Sequence, residues 1–220
     1  VASRMAVFRR LTHPSDTNPM FGPIRILVMP VRSLIQPVVK GLGDVDPLVF
    51  TQGEELPLDD VSRRLVENAY TRVDLVMDRG EFAVRGGILD VFPPTAPHPV
   101  RIEFFGDEID TIKEFHASDQ RTYGDGLKTI WATACRELQL TDAVRTRAKA
   151  LVGSIPNAED MLESIANAIP VEGMESLMPA LVDHLEPVGS MLPKHAVILL
   201  SDPEKLRRSA EDLAKTANEF

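Results

Sequence analysis

Residues 80–120 have the sequence GEFAVRGGILDVFPPTAPHPVRIEFFGDEIDTIKEFHASDQ, and this stretch decides the fold of the chain. Two apolar runs, Glu81–Arg85 and Ile88–Phe92, flank the pair Gly86-Gly87. Two glycines between such runs are typical of a tight β-hairpin, because both central positions of the favoured turn need a positive φ. The pattern therefore predicts two antiparallel strands.

The hairpin is predicted to continue into a meander. Four prolines between residues 93 and 99 prevent a strand or a long helix there. Val100–Phe105 is the third predicted strand, and Gly106-Asp107 is a turn with glycine at its first central position. Glu108–Asp119 returns as the fourth strand, so we expect an antiparallel sheet of at least four strands.

Side chains alternate across a strand, so the third strand has one apolar face and one mixed face. The apolar face carries Val100, Ile102 and Phe104. The mixed face carries Arg101, Glu103 and Phe105. Arginine and aromatic side chains dominate the hot spots of protein interfaces. The mixed face, with Arg85 near it at the glycine turn, is therefore a candidate partner surface.

The residues alone leave a second interpretation open. In it, Phe105 packs under the Pro-rich loop, and the arginines pair with local acids such as Glu103 or Asp107. Such acids would either hold Arg101 in position or occupy it until a partner arrives, since a surface ion pair contributes only about 0–1 kcal/mol. The acids nearest to Arg101 in the sequence are Glu103, Asp107, Glu108 and Asp110.

The same stretch resembles a known family. The strings VRGGILDVFPPT, from Val84, and VRIEFFGDEI, from Val100, are similar to the second domain of the nucleotide-excision-repair module shared by UvrB and the transcription-repair coupling factors. The first string is more similar to the coupling factors, because UvrB tends to carry an acidic residue at the Gly87 position. The resemblance covers nearly the whole chain and is strong from about Tyr70 to Thr122.

The resemblance implies a docking site for UvrA, the damage-recognition ATPase. The family's contact residues fall on Arg85, Arg101 and Phe105, and the supporting positions are Gly86, Gly87, Glu103 and Gly106. The resemblance also implies that the longer parent protein is an ATP-dependent DNA translocase. Other parts of that parent would bind duplex DNA and the stalled RNA polymerase.

The sequence holds no recognisable catalytic or cofactor site. Gly41 and Gly43 are the nearest approach to a phosphate-binding loop, and they lack its lysine. The five histidines have no ligand-like spacing with one another or with Cys135. His116, Ser118 and Asp119 are too close in one strand to converge as a triad. We expect no catalytic residue, metal or cofactor. A nucleotide-binding α/β enzyme with an unrecognised site, or a fragment of UvrB, are the alternatives.

Composition limits the partners and the compartment. The formal net charge of the 220 residues is −9, which disfavours nonspecific binding to duplex DNA. The cluster Arg4, Arg9 and Arg10 is typical of a solvated helix face. One cysteine, Cys135, permits no internal disulfide, as is usual in the cytoplasm. No apolar run approaches the roughly 18–20 residues of a membrane span.

The flanks of the chain predict a different architecture. Ile24–Met29 and Ala196–Leu200 are continuous apolar runs, typical of strands buried on both faces of a parallel sheet. The predicted fold class is therefore an α/β domain split by an inserted α+β domain with an antiparallel sheet. The expected borders are 1–46, 47–155 and 156–220. The resemblance implies that the split domain is a degenerate, P-loop-like lobe without a Walker A loop, and that the chain, which starts at Val1 within a helix, is a fragment.

Two local predictions concern the segment before the hairpin. Asp59 or Asp60 is expected to cap a helix that ends near Asn68. Val73–Met77 is expected to be a strand that leads into the sheet.

Overall fold

The computed structural model describes residues 2–16 and 21–218. The described residues divide into two compact units. The larger unit holds residues 2–5 and Val45–Val182, and the smaller unit holds residues 6–16, 21–44 and 183–218. Among the described helices, none is long and apolar enough to cross a membrane.

We number the helices and strands of the described residues in chain order. The α-helices are α1 Ala2–Thr12, α2 Val31–Ile35, α3 Leu58–Glu67, α4 Asp142–Leu151, α5 Glu159–Ala166, α6 Met178–Leu181 and α7 Pro203–Asn218. The strands are β1 Pro37–Val39, β2 Leu48–Thr51, β3 Thr71–Arg72, β4 Glu81–Arg85, β5 Ile88–Val91, β6 Val100–Phe105, β7 Glu108–Phe115, β8 Thr122–Tyr123, β9 Thr129–Ala132 and β10 Leu185–Pro187. This content confirms the predicted mixed class of helices and antiparallel strands.

A six-stranded sheet with the order β3-β4-β5-β6-β7-β8 organises the larger unit. Strands β4 to β8 form an antiparallel meander, and β3 pairs with β4 in parallel. Arg85 pairs with Ile88 across the first turn, and Phe105 pairs with Glu108 across the second. Both predicted hairpins are therefore confirmed. The predicted strand Val73–Met77 is wrong, because the chain leaves the sheet after Arg72.

The glycines of these two turns are needed for different reasons. Gly86 and Gly106 have φ values of 59° and 65°, which strain residues with a side chain. Gly87 has no positive φ, contrary to the prediction. A Cβ at Gly87 would lie 2.9 Å from the carbonyl oxygen of Phe104, and the Gly87 oxygen accepts a hydrogen bond from the Phe104 N–H at 2.7 Å. Gly87 thus lets the first turn approach β6 closely.

The main core of the larger unit lies on one face of the sheet. It joins buried side chains of β4 to β7 with those of α3 and of the antiparallel pair β2–β9. Val61 and Leu65, one turn apart on α3, are both buried. Helix α3 begins at Leu58 without a side-chain cap, so the predicted aspartate cap is wrong. Asp59 and Asp60 lie in its first turn instead, where acidic groups favour the helix dipole.

A β-bulge in β7 keeps this core continuous. Glu103 pairs with Thr111 and Phe104 pairs with Ile109, so that Asp110 has no opposite residue. Simple alternation would place Ile109 and Ile112 on opposite faces of β7, yet both are buried in the main core. The extra residue at Asp110 therefore restores the apolar face.

Helices α4, α5 and α6 follow the sheet. Thr141 caps α4, because its Oγ1 accepts a hydrogen bond from the Val144 N–H at 3.4 Å. Helix α4 packs against both α5 and α6. The larger unit extends to Val182. The expected border of the inserted domain at residue 155 stays a prediction.

The smaller unit contains the antiparallel pair β1–β10, and its helices α2 and α7 contact each other. The predicted buried strands Ile24–Met29 and Ala196–Leu200 are wrong: both segments are irregular, and Val28 and Leu199 are almost fully exposed. Within the described residues no strand pairs with either segment. The relation of this unit to a P-loop lobe stays a prediction.

Candidate protein-docking site

The second face of the sheet carries the predicted contact residues. Asp90 of β5 pairs in register with Arg101 of β6, and Arg85 lies at the end of the neighbouring strand β4. Phe105 lies at the other end of β6 from Val100, at the second turn. We call Arg85, Asp90, Arg101 and Phe105 the docking face.

Asp90 joins the two arginines. The Arg101 Nε donates to Asp90 Oδ1 at 2.7 Å, and the Arg101 Nη2 donates to Asp90 Oδ2 at 2.9 Å. The Arg85 Nη2 donates to the same Oδ2. The residue Asp90 is 0% exposed, so this carboxylate is a buried charge that the two guanidinium groups compensate.

Arg101 is held from three sides. Besides the two bonds to Asp90, its Nη1 donates to the Gln120 carbonyl oxygen at 3.3 Å, and its guanidinium lies 5.1 Å from the centre of the Phe115 ring. Its side chain is only 18% exposed. Hydrogen bonding to Asp90 raises the pKa of Arg101, while partial burial opposes that shift. Arg101 is therefore a fixed cation.

Arg85 is the more accessible of the two arginines. Its side chain is 46% exposed, and its Nη1 donates to the Asp74 carbonyl oxygen at 3.4 Å. Asp74 belongs to the irregular segment after β3, in which Leu75 and Met77 are also exposed. The sequence patterns did not predict that these two apolar side chains are exposed in the segment that contains Asp74.

The local acids do not bind the arginines as the second interpretation expects. Glu103 accepts a hydrogen bond from the Thr111 hydroxyl at 3.2 Å, and its charge only assists in raising the pKa of Arg101. Asp90, rather than Glu103 or Asp107, is the acid that pairs with Arg101. The single aspartate within an otherwise apolar strand, ILDV, was the available signal for it.

Phe105 does not pack under the Pro-rich loop. It is 84% exposed, whereas the adjacent Phe104 packs against the main core. Gly106 follows it in the turn, and Gly87 contacts the backbone of Phe104. Two of the predicted supporting glycines, Gly87 and Gly106, thus lie next to the backbone of Phe104 and Phe105.

Other candidate sites offer no comparable arrangement. No group of His, Cys, Asp and Glu able to hold a metal ion occurs in the described ranges. The Gly41 N–H donates to the Glu186 carboxylate at 2.9 Å, so this backbone donor is already paired with an acidic side chain. Burial raises the pKa of the Cys135 thiol to about 12, which disfavours a nucleophilic role.

Known proteins are similar to the chain in the region that contains the docking face. Residues 48–131 match the family model of the UvrB interaction domain. The whole chain is 47% identical to part of the transcription-repair-coupling factor of Mycobacterium tuberculosis and 30% identical to part of that of Bacillus subtilis. It covers 19% and 20% of those proteins, so it spans about a fifth of their length.

A UvrB protein is similar over a shorter stretch. The UvrABC system protein B of Clostridium botulinum is 51% identical over 112 residues, which are 48% of this chain and 16% of that protein. The similarity to the coupling factors extends over both units, whereas the similarity to this UvrB protein covers less than half of the chain. The chain therefore carries a UvrB interaction domain and corresponds, over its whole length, to part of the transcription-repair-coupling factors.

Proposed function

We propose that this chain is a docking module that binds UvrA through Arg85, Arg101 and Phe105. In the cytoplasm it would recruit UvrA to lesions where RNA polymerase has stalled. Other parts of a longer parent protein would hydrolyse ATP, translocate on duplex DNA and displace the polymerase. The single observation that carries the proposal is an exposed phenylalanine on the same sheet face as two arginines.

The physical argument starts from Phe105. An apolar ring that is 84% exposed contributes little to folding, but it buries a large apolar area when a partner covers it. It lies at the end of β6, where it pairs with Glu108 of β7, so little backbone entropy is lost on binding. Such rigid aromatic anchors are frequent among interface hot spots.

The arginines supply the polar part of the interface. Two guanidinium groups share one carboxylate, so Arg85, Asp90 and Arg101 together retain one positive charge within a chain whose formal net charge is −9. A local positive charge on an acidic protein favours an acidic patch on a partner protein. It does not favour DNA, whose binding needs many cationic contacts to phosphates.

We propose binding rather than catalysis, without cofactor or metal. This is supported by the Glu186 carboxylate at the Gly41 N–H and by the raised pKa of Cys135. The enzyme alternative has no specific observation in its favour.

The direct test is calorimetry of the chain with purified UvrA. We expect a Kd of about 1 μM or tighter. Arg85→Ala, Arg101→Ala and Phe105→Ala should each weaken binding by about 1–3 kcal/mol. Arg63→Ala on α3 and Val197→Ala are the matched controls, because they remove an exposed arginine and an apolar side chain as exposed as Phe105.

Circular dichroism establishes that each variant is folded before its binding is measured. A folded wild-type chain that does not bind UvrA contradicts the proposal. Equal affinity of the wild-type chain and all three docking-face variants contradicts the assignment of the residues.

A further inference from the structure

We infer that Asp90 is the positioning residue of the docking face, and that it aims Arg85 at a single carboxylate of the partner. The inference rests on the proposed function and adds two features to it: a buried acid that makes no contact with the partner, and a definite charge complement. The resemblance to the family assigned the contact residues without Asp90.

The geometry around Asp90 carries the inference. Its carboxylate is almost completely buried, and both of its oxygens accept hydrogen bonds from guanidinium groups. Three donors on two oxygens fix the rotation of the carboxylate, and each guanidinium is a rigid planar fork. Fixing one carboxylate therefore fixes the orientation of both arginines.

The two arginines then have different tasks. Arg101 directs two nitrogens at Asp90 and one at Gln120, and it lies over Phe115. Arg85 donates once to Asp90 and once to the Asp74 oxygen, which uses two of its five N–H groups. Arg85 is also the more exposed side chain. Direct contact with the partner consequently falls mainly to Arg85.

The charges give the chemistry of the partner. Asp90 neutralises one of the two guanidinium groups, so the three residues Arg85, Asp90 and Arg101 keep one positive charge, which the more exposed Arg85 presents. Glu103 lies on the same face of β6, in the sequence between Arg101 and Phe105. The matching surface is a carboxylate beside an apolar pocket. Without Asp90, two uncompensated guanidinium groups would repel each other and turn away from this arrangement.

The test is a double-mutant cycle measured by calorimetry with UvrA. The four proteins are the wild-type chain, Asp90→Asn, Arg85→Ala and the combined variant. We expect Asp90→Asn and Arg85→Ala each to weaken binding by about tenfold or more, and the combined variant to bind within about threefold of Arg85→Ala. Asp110→Asn, the exposed bulge residue of β7, controls for the loss of one acidic charge.

A second measurement does not depend on UvrA. The Arg101 Nε–H should exchange slowly with solvent in the wild-type chain and quickly in Asp90→Asn, as followed by NMR. Where Asp90→Asn does not fold, two other variants replace it: Arg101→Gln alone, and Arg101→Gln combined with Asp90→Asn. Neither of them leaves a buried charge unpaired. The second of these should bind about tenfold more weakly than the first.

The outcomes separate the two proposals. Failure of the wild-type chain to bind UvrA overturns the proposed function and this inference with it. Binding that Arg85→Ala weakens, but Asp90→Asn leaves within twofold, overturns the inference alone. The inference is also overturned if Asp90→Asn weakens binding as strongly in the Arg85→Ala background as in the wild type. If Arg101→Gln binds UvrA as tightly as Arg101→Gln combined with Asp90→Asn, the inference is also overturned.

Discussion

Ile102 and Arg101 are neighbours on β6, yet they lie on opposite faces of one sheet and in two different environments. Ile102 is fully buried in the main core. Arg101 lies over Phe115, whose small cluster on the second face contains Val76, Ala83, Phe92 and Phe115. The second face thus has a smaller apolar cluster and keeps an ion-paired group and an exposed ring at its surface.

The difference shows how one sheet combines stability with recognition. Burial of apolar area contributes about 25 cal/mol per Å², so the main core supplies most of the stabilisation. A buried ion pair gains little net free energy, because desolvation offsets the attraction of the charges. Truncation of a buried apolar side chain on the first face should therefore change folding, and truncation of the exposed Phe105 on the second face should change binding.

The largest expected effect is on the first face. Ile102→Ala should lower the free energy of unfolding by about 2–5 kcal/mol, because it removes buried methyl groups and leaves a cavity. Urea denaturation followed by circular dichroism measures this change. Ile26→Ala is the control, since Ile26 is 83% exposed. A loss below 1 kcal/mol for Ile102→Ala would contradict the assignment of this face as the main core.

Cys135 can report on the same face, because it packs against the main core. Burial raises its pKa to about 12, from an ordinary value near 9, so its thiolate fraction at pH 8 should be roughly a thousandfold lower in the folded chain. Iodoacetamide should therefore modify Cys135 slowly at pH 8 and faster as the pH approaches 12.

Two substitutions, one on each face of the sheet, test whether the modification of Cys135 reports on the main core alone. Ile102→Ala should accelerate the modification, because a weakened core opens more often, and Phe105→Ala should leave its rate unchanged. Mass spectrometry follows the reaction. Modification of the folded wild-type chain as fast as of the urea-denatured chain would show that the thiol is not shielded.

A smaller effect is expected at the first turn. Gly87→Ala would place a Cβ 2.9 Å from the Phe104 carbonyl oxygen, so the turn must move away from β6 at a cost of about 1–3 kcal/mol. Gly53→Ala is the comparison, because nothing lies within 4 Å of a Cβ there and only its positive φ of 84° is strained. Gly87→Ala should also weaken UvrA binding, while Gly53→Ala should not. If Gly87→Ala and Gly53→Ala bind UvrA with equal affinity, the geometry of the first turn does not affect the docking face.

The sequence predicted those parts of the fold that depend on neighbours in the chain. Gly86-Gly87 and Gly106-Asp107 specify their hairpins locally, and the alternation along β6 correctly separated Ile102 from Arg101 and Phe105. The apolar runs near residues 26 and 198 failed as predictions, because a buried strand also needs partners that its own residues do not specify.

Asp90 was missed for a related reason. Its pairing with Arg101 depends on the register between β5 and β6, and residues 92–99, a Pro-rich connection, separate these strands. A long connection leaves the register undetermined, unlike a two-residue turn. The bulge at Asp110 could not be predicted either, since it follows from the packing of Ile109 and Ile112 in one core.

The smallest expected effect on folding belongs to Phe105, one of the three proposed contact residues. Phe105→Ala should change the free energy of unfolding by no more than about 0.5 kcal/mol, because a side chain that is 84% exposed loses few contacts. Val197→Ala, at the same exposure in the smaller unit, should be equally neutral. Only Phe105→Ala should weaken UvrA binding, because Phe105 is held on a hydrogen-bonded strand and shares its face with Arg85 and Arg101. A destabilisation above 1 kcal/mol by Phe105→Ala would mean that the ring packs within the unit, and the two faces would then no longer divide stability from recognition.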